Sequence, residues 1–292
     1  MEEEKNPKIE PDTGTAQETE ASKKKKRSAV LERLIRYIAL AVAACTFTYA
    51  AYSLTKTYLE YKEGDDVYEN VQDMFLQEVE EEQEQEKGGE QVAVANKEKK
   101  WVFDFAKLEA INPDARGYIK QDNSRINYPI MQGTDNAYYL SYTFDRTYNR
   151  NGSIFVDCAI KEGLNARNSV IYGHNMWSDS MFGTLVEYQK KEYLEKNPTF
   201  DVYIGNKHYI YYVFASFECE AEGDSVYQHQ FATDEEFVQW QQKQRARSYY
   251  TVDTVPELTA EDQILTLSTC TTRDDKSKRV IVMCVRGEQV ID

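Results

Sequence analysis

A stretch without any charged residue, residues 37–55 (YIALAVAACTFTYAAYSLT), constrains this chain more than any other feature of its sequence. Its length is close to the roughly 20 residues that a helix needs to cross a bilayer. The basic run KKKKR at residues 23–27 precedes it, and acidic residues, beginning with Glu60 and Glu63, follow it. Because positive flanks stay in the cytoplasm, we expect a single span with a cytoplasmic N-terminus. A buried amphipathic helix and a cleaved signal peptide are the alternatives, which the flanking charges and the long polar tail disfavour.

The composition divides the chain into four segments. Residues 1–33 are polar and charged, which predicts a cytoplasmic tail, and residues 34–56 form the predicted membrane anchor. Residues 57–100 are acidic and rich in Gln, with a partial helical stripe of apolar residues followed by Gly88-Gly89. They predict an extracellular stalk that is helical in its first half and loose around the glycines. Residues 101–292 have the character of a folded domain.

Charge and cysteine usage exclude two classes of function. The formal net charge of −15 argues against a nucleic-acid partner, since phosphate binding needs clustered Lys and Arg. The five cysteines form no CxxC pair and no other zinc-ligand spacing, so the sequence predicts no structural metal site.

From residue 101 onward, short apolar runs alternate with turn signals. Strands are predicted at residues 117–119, 126–131, 153–156, 169–172, 199–204, 209–218, 264–269 and 279–286. Helices are predicted at residues 101–110, 181–195 and 233–249, the last beginning with a capping-box pattern at Thr233. Many short strands with a few inserted helices predict a mainly β fold, a closed or nearly closed barrel.

Cys270 ends the run ILTLSTC, where a predicted strand gives way to a polar loop. Strand alternation places it on one face with Thr266 and Ser268, and a cysteine at a strand end is placed for access. Cys284, in contrast, lies inside the apolar run VIVMCV, which predicts a core position. Since most cysteines are small buried hydrophobes, position alone leaves a nucleophilic and a structural role for Cys270 both open.

His174 is the candidate base for such a nucleophile. It follows a predicted strand in VIYGHNM and is one of only three histidines. His208 and His229 are more easily interpreted as exposed loop or strand-edge residues. An ordinary hydrogen-bonded histidine remains the alternative for His174.

Arg279 opens the last predicted strand, a short loop after Cys270. Such a loop permits the two strands to be antiparallel neighbours, which would bring Arg279 close to Cys270. A guanidinium there could hold a carbonyl oxygen and stabilise a tetrahedral oxyanion. A surface arginine remains the alternative, and Arg273 and Lys278 are competing cations.

Together these segments resemble the sortase family. The stretch TLSTC resembles the family signature TLxTC with Cys270 at the nucleophile position, YGHNM followed by MFGTL resembles the segment of the family histidine, and RVIVMCV resembles the last strand with the family arginine. Class B is indicated by RGYIKQDNSRINYPIMQGTDNAYYL, then NGSIFVD, NSVIYGHNM and MFGTLVEY in the expected order, and by the helix DEEFVQWQQKQRARSYY before the seventh strand. The resemblance covers residues 101–290.

The resemblance implies a closed eight-stranded sortase-type β-barrel with Cys270, His174 and Arg279 as the catalytic group. It also implies a transpeptidase of Gram-positive bacteria that cleaves a C-terminal sorting motif, of the NPQTN or SPKTG kind, after threonine. The acyl group would pass through a thioester to a cell-wall peptide amine, without a metal or organic cofactor. The implied partners are secreted proteins with a sorting signal, the peptidoglycan precursor and the membrane.

Three alternatives stay open beside this function. A pilus-assembling sortase would use a pilin lysine as the acceptor, a cysteine protease would hydrolyse the same motif, and a stalked adhesion or scaffold domain would carry the fold without catalysis. Two features depart from the family pattern: the highly charged loop between Cys270 and Arg279, and Met283-Cys284 where a His-Ala pair is common. They leave the substrate preference open.

Overall fold

A computed structural model describes residues 14–82, 97–272 and 277–290 of the chain. Contacts divide the chain into two compact units, Met1–Leu59 and Glu60–Asp292. The helix α1 (Gly14–Phe75) contains the uncharged stretch, and within the described residues it is the one helix long and apolar enough to cross a membrane. The Gly88-Gly89 part of the predicted stalk and Arg273 lie outside the described residues.

The remaining elements lie in the second unit. The strands are β1 (Leu76–Glu82), β2 (Lys97–Phe103), β3 (Ala115–Lys120), β4 (Asn127–Met131), β5 (Ile154–Val156), β6 (Asn168–Tyr172), β7 (Thr199–Ile204), β8 (Lys207–Glu220), β9 (Ile264–Cys270) and β10 (Lys278–Val290). The helices after α1 are α2 (Phe105–Ile111), α3 (Lys191–Lys196) and α4 (Asp234–Arg245). Short 3-10 helices occupy Tyr138–Leu140, Gly163–Asn165, Gly183–Gln189 and Ser225–Tyr227.

Strands β3 to β10 close into one barrel in the order β10-β8-β7-β3-β4-β5-β6-β9. The β4–β5 and β6–β9 pairs are parallel and the other barrel pairs are antiparallel. Closure leaves the barrel without an open sheet edge, and fully buried rings such as Phe155, Phe200 and Phe214 help to fill the core. The predicted mainly β fold with a closed eight-stranded barrel is confirmed.

Two of the predicted helices differ from the structure. Residues 101–103, predicted to be helical, end β2 because this strand pairs with β1, and the helix starts only after Asp104. The Asp104 carboxylate caps α2 by accepting a hydrogen bond from the backbone N–H of Lys107 at 3.0 Å. The helix predicted at residues 181–195 is split into the 3-10 helix Gly183–Gln189 and α3, because Lys190 between them is extended.

The last part of α1, residues 60–75, packs on the barrel, and we call it the docked segment. Tyr68, Val71 and Phe75 are buried there, and the Tyr68 hydroxyl donates a 2.6 Å hydrogen bond to the Gly152 carbonyl. The helix lies close to the barrel at Gly64, where a Cβ atom would clash with the side-chain amide of Asn151. The helical conformation of this region agrees with the sequence-based prediction, whereas its packing was not predicted.

The packing of the docked segment predicts that Phe75→Ala lowers the free energy of unfolding by about 3–5 kcal/mol, as expected for truncating a buried phenylalanine. Phe75 is fully buried and its ring meets the Phe144 ring edge-on at 5.8 Å. Denaturant unfolding of a fragment that starts at Glu60 measures this loss.

The neighbouring Met74, which is 37% exposed, supplies the control. Met74→Ala should cost less than about 1 kcal/mol, as most substitutions away from the core do. Equal losses for the two variants would show that the segment does not pack on the barrel in solution.

Candidate active site

Cys270 is the last residue of β9. Every earlier residue of this strand is buried, and Cys270 alone is partly exposed, because the strand leaves the barrel there. In the antiparallel pair of β9 and β10, Arg279 lies directly opposite Cys270. Directly opposed residues project from the same face of a sheet, so the thiol and the guanidinium share one face at one end of the barrel.

His174 reaches this end of the barrel from the other neighbour of β9. Strand β6 runs parallel to β9 with Tyr172 opposite Ser268. The alignment continues beyond β6, since Gly173 N–H donates to Ser268 O at 3.2 Å and Thr269 Oγ1 donates to Gly173 O at 2.9 Å. His174, the next residue, therefore lies beside the end of β9 that carries Cys270.

The hydrogen bond of the His174 ring identifies its protonated nitrogen. Nε2 lies 2.8 Å from the backbone carbonyl oxygen of Leu140. A carbonyl oxygen can only accept, so Nε2 carries the proton of this hydrogen bond. The same bond fixes the plane of the half-buried ring.

Asn175 also belongs to this site, although the sequence argument did not single it out. Its side-chain Nδ2 donates a 2.9 Å hydrogen bond to the backbone carbonyl of Cys270. The amide thus ties the residue after His174 to the end of β9. Its position inside the YGHNM stretch was the available signal, but a backbone contact of this kind depends on the fold.

Arg279 has a second strand neighbour, because β10 also pairs with β8. Cys219 lies opposite Arg279 on that side, so Cys219, Arg279 and Cys270 form one row across three strands. Burial raises the pKa values of Tyr172 and Tyr227 above their ordinary range, and the nearby charge of Arg279 partly opposes this effect. The two phenols are therefore neutral at physiological pH.

The five cysteines are unbonded and differ in accessibility. Burial raises the pKa of Cys219 to about 11 and that of Cys284 well above its ordinary value. Cys158 is partly exposed, and its pKa is raised by residual burial and by the charge of Asp157. Among the cysteines of the barrel, Cys270 combines exposure with an arginine directly opposite.

The other two histidines lie in different surroundings. His208 is the second residue of β8, where its Nε2 lies 2.7 Å from Asp201 Oδ1 and its ring stacks on Tyr203. His229 follows the 3-10 helix Ser225–Tyr227, and its Nδ1 lies 3.3 Å from the Tyr227 carbonyl oxygen.

Comparisons with known proteins agree with this geometry. The chain matches the family model described as "Sortase domain" over residues 119–287. It is 30% identical to sortase B of Staphylococcus aureus over 236 residues, which cover 80% of this chain and 88% of that protein. The structure of an S. aureus sortase B–substrate complex matches with a TM-score of 0.58 and 31% identity, covering 63% of this chain and 84% of that one. Sortase B from B. anthracis in complex with AAEK1 matches with a TM-score of 0.64 and 28% identity, covering 79% and 99%.

Among the four cysteines that follow α1, accessibility predicts that Cys270 reacts fastest with a water-soluble alkylating agent near neutral pH. Its rate should exceed those of Cys158, Cys219 and Cys284 by about tenfold or more, because only thiolate reacts and the three others are buried or have a raised pKa. Peptide mapping by mass spectrometry follows each cysteine separately. Cys270→Ser should remove the fast phase, and a fastest reaction at Cys158 would contradict the prediction.

With Cys270 as the expected nucleophile, the contact of Asn175 predicts that Asn175→Ala slows thioester formation by about tenfold, since a small displacement of a reacting group can cost that much. The rate is measured by rapid mixing with a sorting peptide and detection of the acyl adduct.

Asn206 in the exposed β7–β8 turn provides the control, because it lies on a different hairpin. Asn206→Ala should leave the rate of thioester formation unchanged. A normal rate in Asn175→Ala would mean that the end of β9 is held in place without this amide.

Proposed function

Since this chain belongs to the sortase family of cysteine transpeptidases, we propose that Cys270 is its nucleophile, His174 its acid–base group and Arg279 its oxyanion-binding group. The observation that carries the proposal is the position of three strand ends: Cys270 ends β9, Arg279 lies opposite it near the start of β10, and His174 is the second residue after the parallel neighbour β6. The geometry supports a thiol, an imidazole and a guanidinium acting on one carbonyl group.

In the first step, the thiolate of Cys270 attacks the carbonyl carbon of a threonine in the sorting motif. A C–S bond forms, and the carbonyl electron pair moves to oxygen as a tetrahedral oxyanion. The C–N bond then breaks, and His174 gives its Nδ1 proton to the departing amine as a general acid. The product of this step is a thioester between the threonine and Cys270.

In the second step, an amine attacks the thioester carbonyl. The neutral His174 takes a proton from the amine at Nδ1 as the new C–N bond forms, and the C–S bond breaks to return the thiolate. If water takes the place of the amine, the same sequence ends in hydrolysis. Transfer to an amine therefore needs an acceptor that competes with water at this end of the barrel.

Arg279 stabilises the oxyanion that forms in both steps. Its guanidinium is permanently charged and projects from the same face as the Cys270 thiol, because the two residues are register partners. The phenols of Tyr172 and Tyr227 nearby are neutral, so they do not cancel this charge.

The substrates follow from the family and its members. The proposed donor is a secreted protein whose C-terminal motif is of the NPQTN or SPKTG kind, and the proposed acceptor is an amine of a cell-wall peptide or its precursor. One solved sortase B structure is a complex with triglycine, a peptide with a free amine. Such an acceptor suits the second step of the mechanism.

The proposed location is the outer face of the cell membrane. The basic residues 23–27 before the uncharged stretch favour a cytoplasmic N-terminus, and the acidic residues after it favour an outward catalytic domain. An enzyme that joins secreted proteins to wall peptides must work at that surface. The anchor at residues 34–56 would keep it there.

The proposed mechanism predicts thioester formation and amine-dependent product with a panel of fluorogenic sorting peptides. Cys270→Ala should abolish both. His174→Ala and Arg279→Ala should each lower kcat/KM by about a hundredfold or more, as loss of an acid–base or oxyanion-binding group does. Arg279→Lys should recover only part of this loss, because lysine keeps the charge without the planar fork. Mass spectrometry of the adduct and of the joined product measures each step.

Cys158→Ala serves as the matched cysteine control and should behave as wild type. Cleavage whose product remains hydrolytic at all amine concentrations would favour a protease. Cleavage that responds to a pilin lysine and not to wall-peptide amines would favour pilus assembly. A folded chain that forms no adduct with any peptide would contradict the proposal.

A further inference from the structure

The loop that follows β6, residues 173–183, carries His174 and has an unfavourable backbone. We call it the His174 loop. Asp179 and Met181 both adopt positive φ, at 58° and 56°, a region that residues other than glycine avoid. Asn175 and Met181 form an isolated antiparallel bridge that closes the loop, and Phe182 N–H donates to the His174 carbonyl at 2.9 Å. A loop of this shape needs contacts from outside to hold it.

Two side chains from the region of β4 supply such contacts. The backbone N–H of Met181 donates a 2.9 Å hydrogen bond to the hydroxyl of Tyr128, which is 4% exposed. The guanidinium of Arg125 donates a 2.5 Å hydrogen bond to the carbonyl of Ser178. The first bond holds the left-handed residue itself, and the second holds the tip of the loop.

Both side chains are in turn contacted by the docked segment, residues 60–75. The Tyr68 ring meets the Tyr128 ring edge-on, with 5.1 Å between centroids and an angle of 84°. Asp65 Oδ2 lies 3.8 Å from Arg125 NH1. Tyr68 is itself fixed by its hydrogen bond to Gly152 O.

The two routes differ in strength. The side chain of Arg125 is 54% exposed, and its long ion pair with Asp65 is screened by water, so this contact contributes little. Tyr68 and Tyr128 are both buried, and an edge-on pair of buried rings is favourable and has a defined geometry. The path from Tyr68 through Tyr128 to Met181 therefore dominates.

We propose that the docked segment positions His174, with Tyr68 holding Tyr128 and the Tyr128 hydroxyl holding the left-handed Met181 of the His174 loop. The inference rests on the acid–base role proposed for His174. Tyr68 and Tyr128 are positioning residues, since the hydrogen bonds and ring contacts described for them go to residues other than His174 and Cys270. Loosening of the docked segment then lowers kcat. The fold of the barrel and the KM for the sorting peptide stay largely unchanged.

The test uses the full chain in detergent micelles with two variants, Tyr128→Phe and Tyr68→Leu. Hydrogen exchange at the Met181 amide should accelerate about tenfold in Tyr128→Phe, the change expected when one buried hydrogen bond is lost. The kcat of both variants should fall about tenfold with KM within about twofold, because the catalytic group is displaced while substrate binding is kept.

Two matched variants control for a general loss of stability. Tyr118→Phe removes a buried hydroxyl that donates to Asn127 Oδ1. Tyr211→Phe removes a buried hydroxyl on β8 that accepts a hydrogen bond from Arg286 Nε, as the Tyr128 hydroxyl accepts one from Met181. Neither control should change exchange at Met181 or kcat.

The outcomes separate this inference from the proposed function. Wild-type turnover with normal kcat and normal Met181 exchange in both test variants would overturn the positioning role alone. Equal losses of kcat in test and control variants would also overturn it, since they would reflect general destabilisation. A wild-type chain that forms no thioester would overturn the proposed function and this inference with it.

Discussion

The closure of the barrel by β9 is the constraint on which the rest of this site depends. This strand has a parallel neighbour, β6, on one side and an antiparallel neighbour, β10, on the other. Parallel strands end at the same edge, and an antiparallel strand starts where its partner ends. The end of β6, the end of β9 and the start of β10 are therefore brought to one rim. His174 and Arg279, which are distant in sequence, therefore lie at the same rim as Cys270.

The cysteines of the barrel differ in how accessible their thiols are. Cys219, Arg279 and Cys270 lie in one row, yet burial raises the pKa of Cys219 to about 11. Cys284 lies in the middle of β10 and is fully buried. Burial separates the two thiols of this row, since the local environment of a thiol sets its protonation and its access. Cys219 is the penultimate residue of β8 and is buried, whereas Cys270 is the last residue of β9 and is partly exposed.

Local patterns predicted most strands and the strand-end position of Cys270 well, because each depends on a few neighbouring residues. The run ILTLSTC predicted β9 and its exposed last residue, and the loop length after Cys270 predicted the antiparallel partner that carries Arg279. Local patterns failed where the residues that pair or form a hydrogen bond are distant in sequence. Residues 101–103 became part of β2 by pairing with β1, and the amide of Asn175 found the Cys270 carbonyl only because β6 runs beside β9. No window of local sequence contains such information.

The N-terminal boundary of the folded domain shows most clearly how local patterns miss contacts between residues that are distant in sequence. Motifs place the start of the domain at residue 101, and the family model begins at residue 119, yet the compact unit starts at Glu60. Apolar positions such as Val67 and Val71 form a helical stripe in the sequence. A stripe of this kind does not show whether the helix packs on the barrel or stays exposed. The close approach of Gly64 to Asn151 and the edge-on contact of Tyr68 with Tyr128 answer that question. A loop with two left-handed non-glycine residues persists only where surrounding contacts over-determine it. Part of that support for the His174 loop comes from outside the region that the motifs delimit.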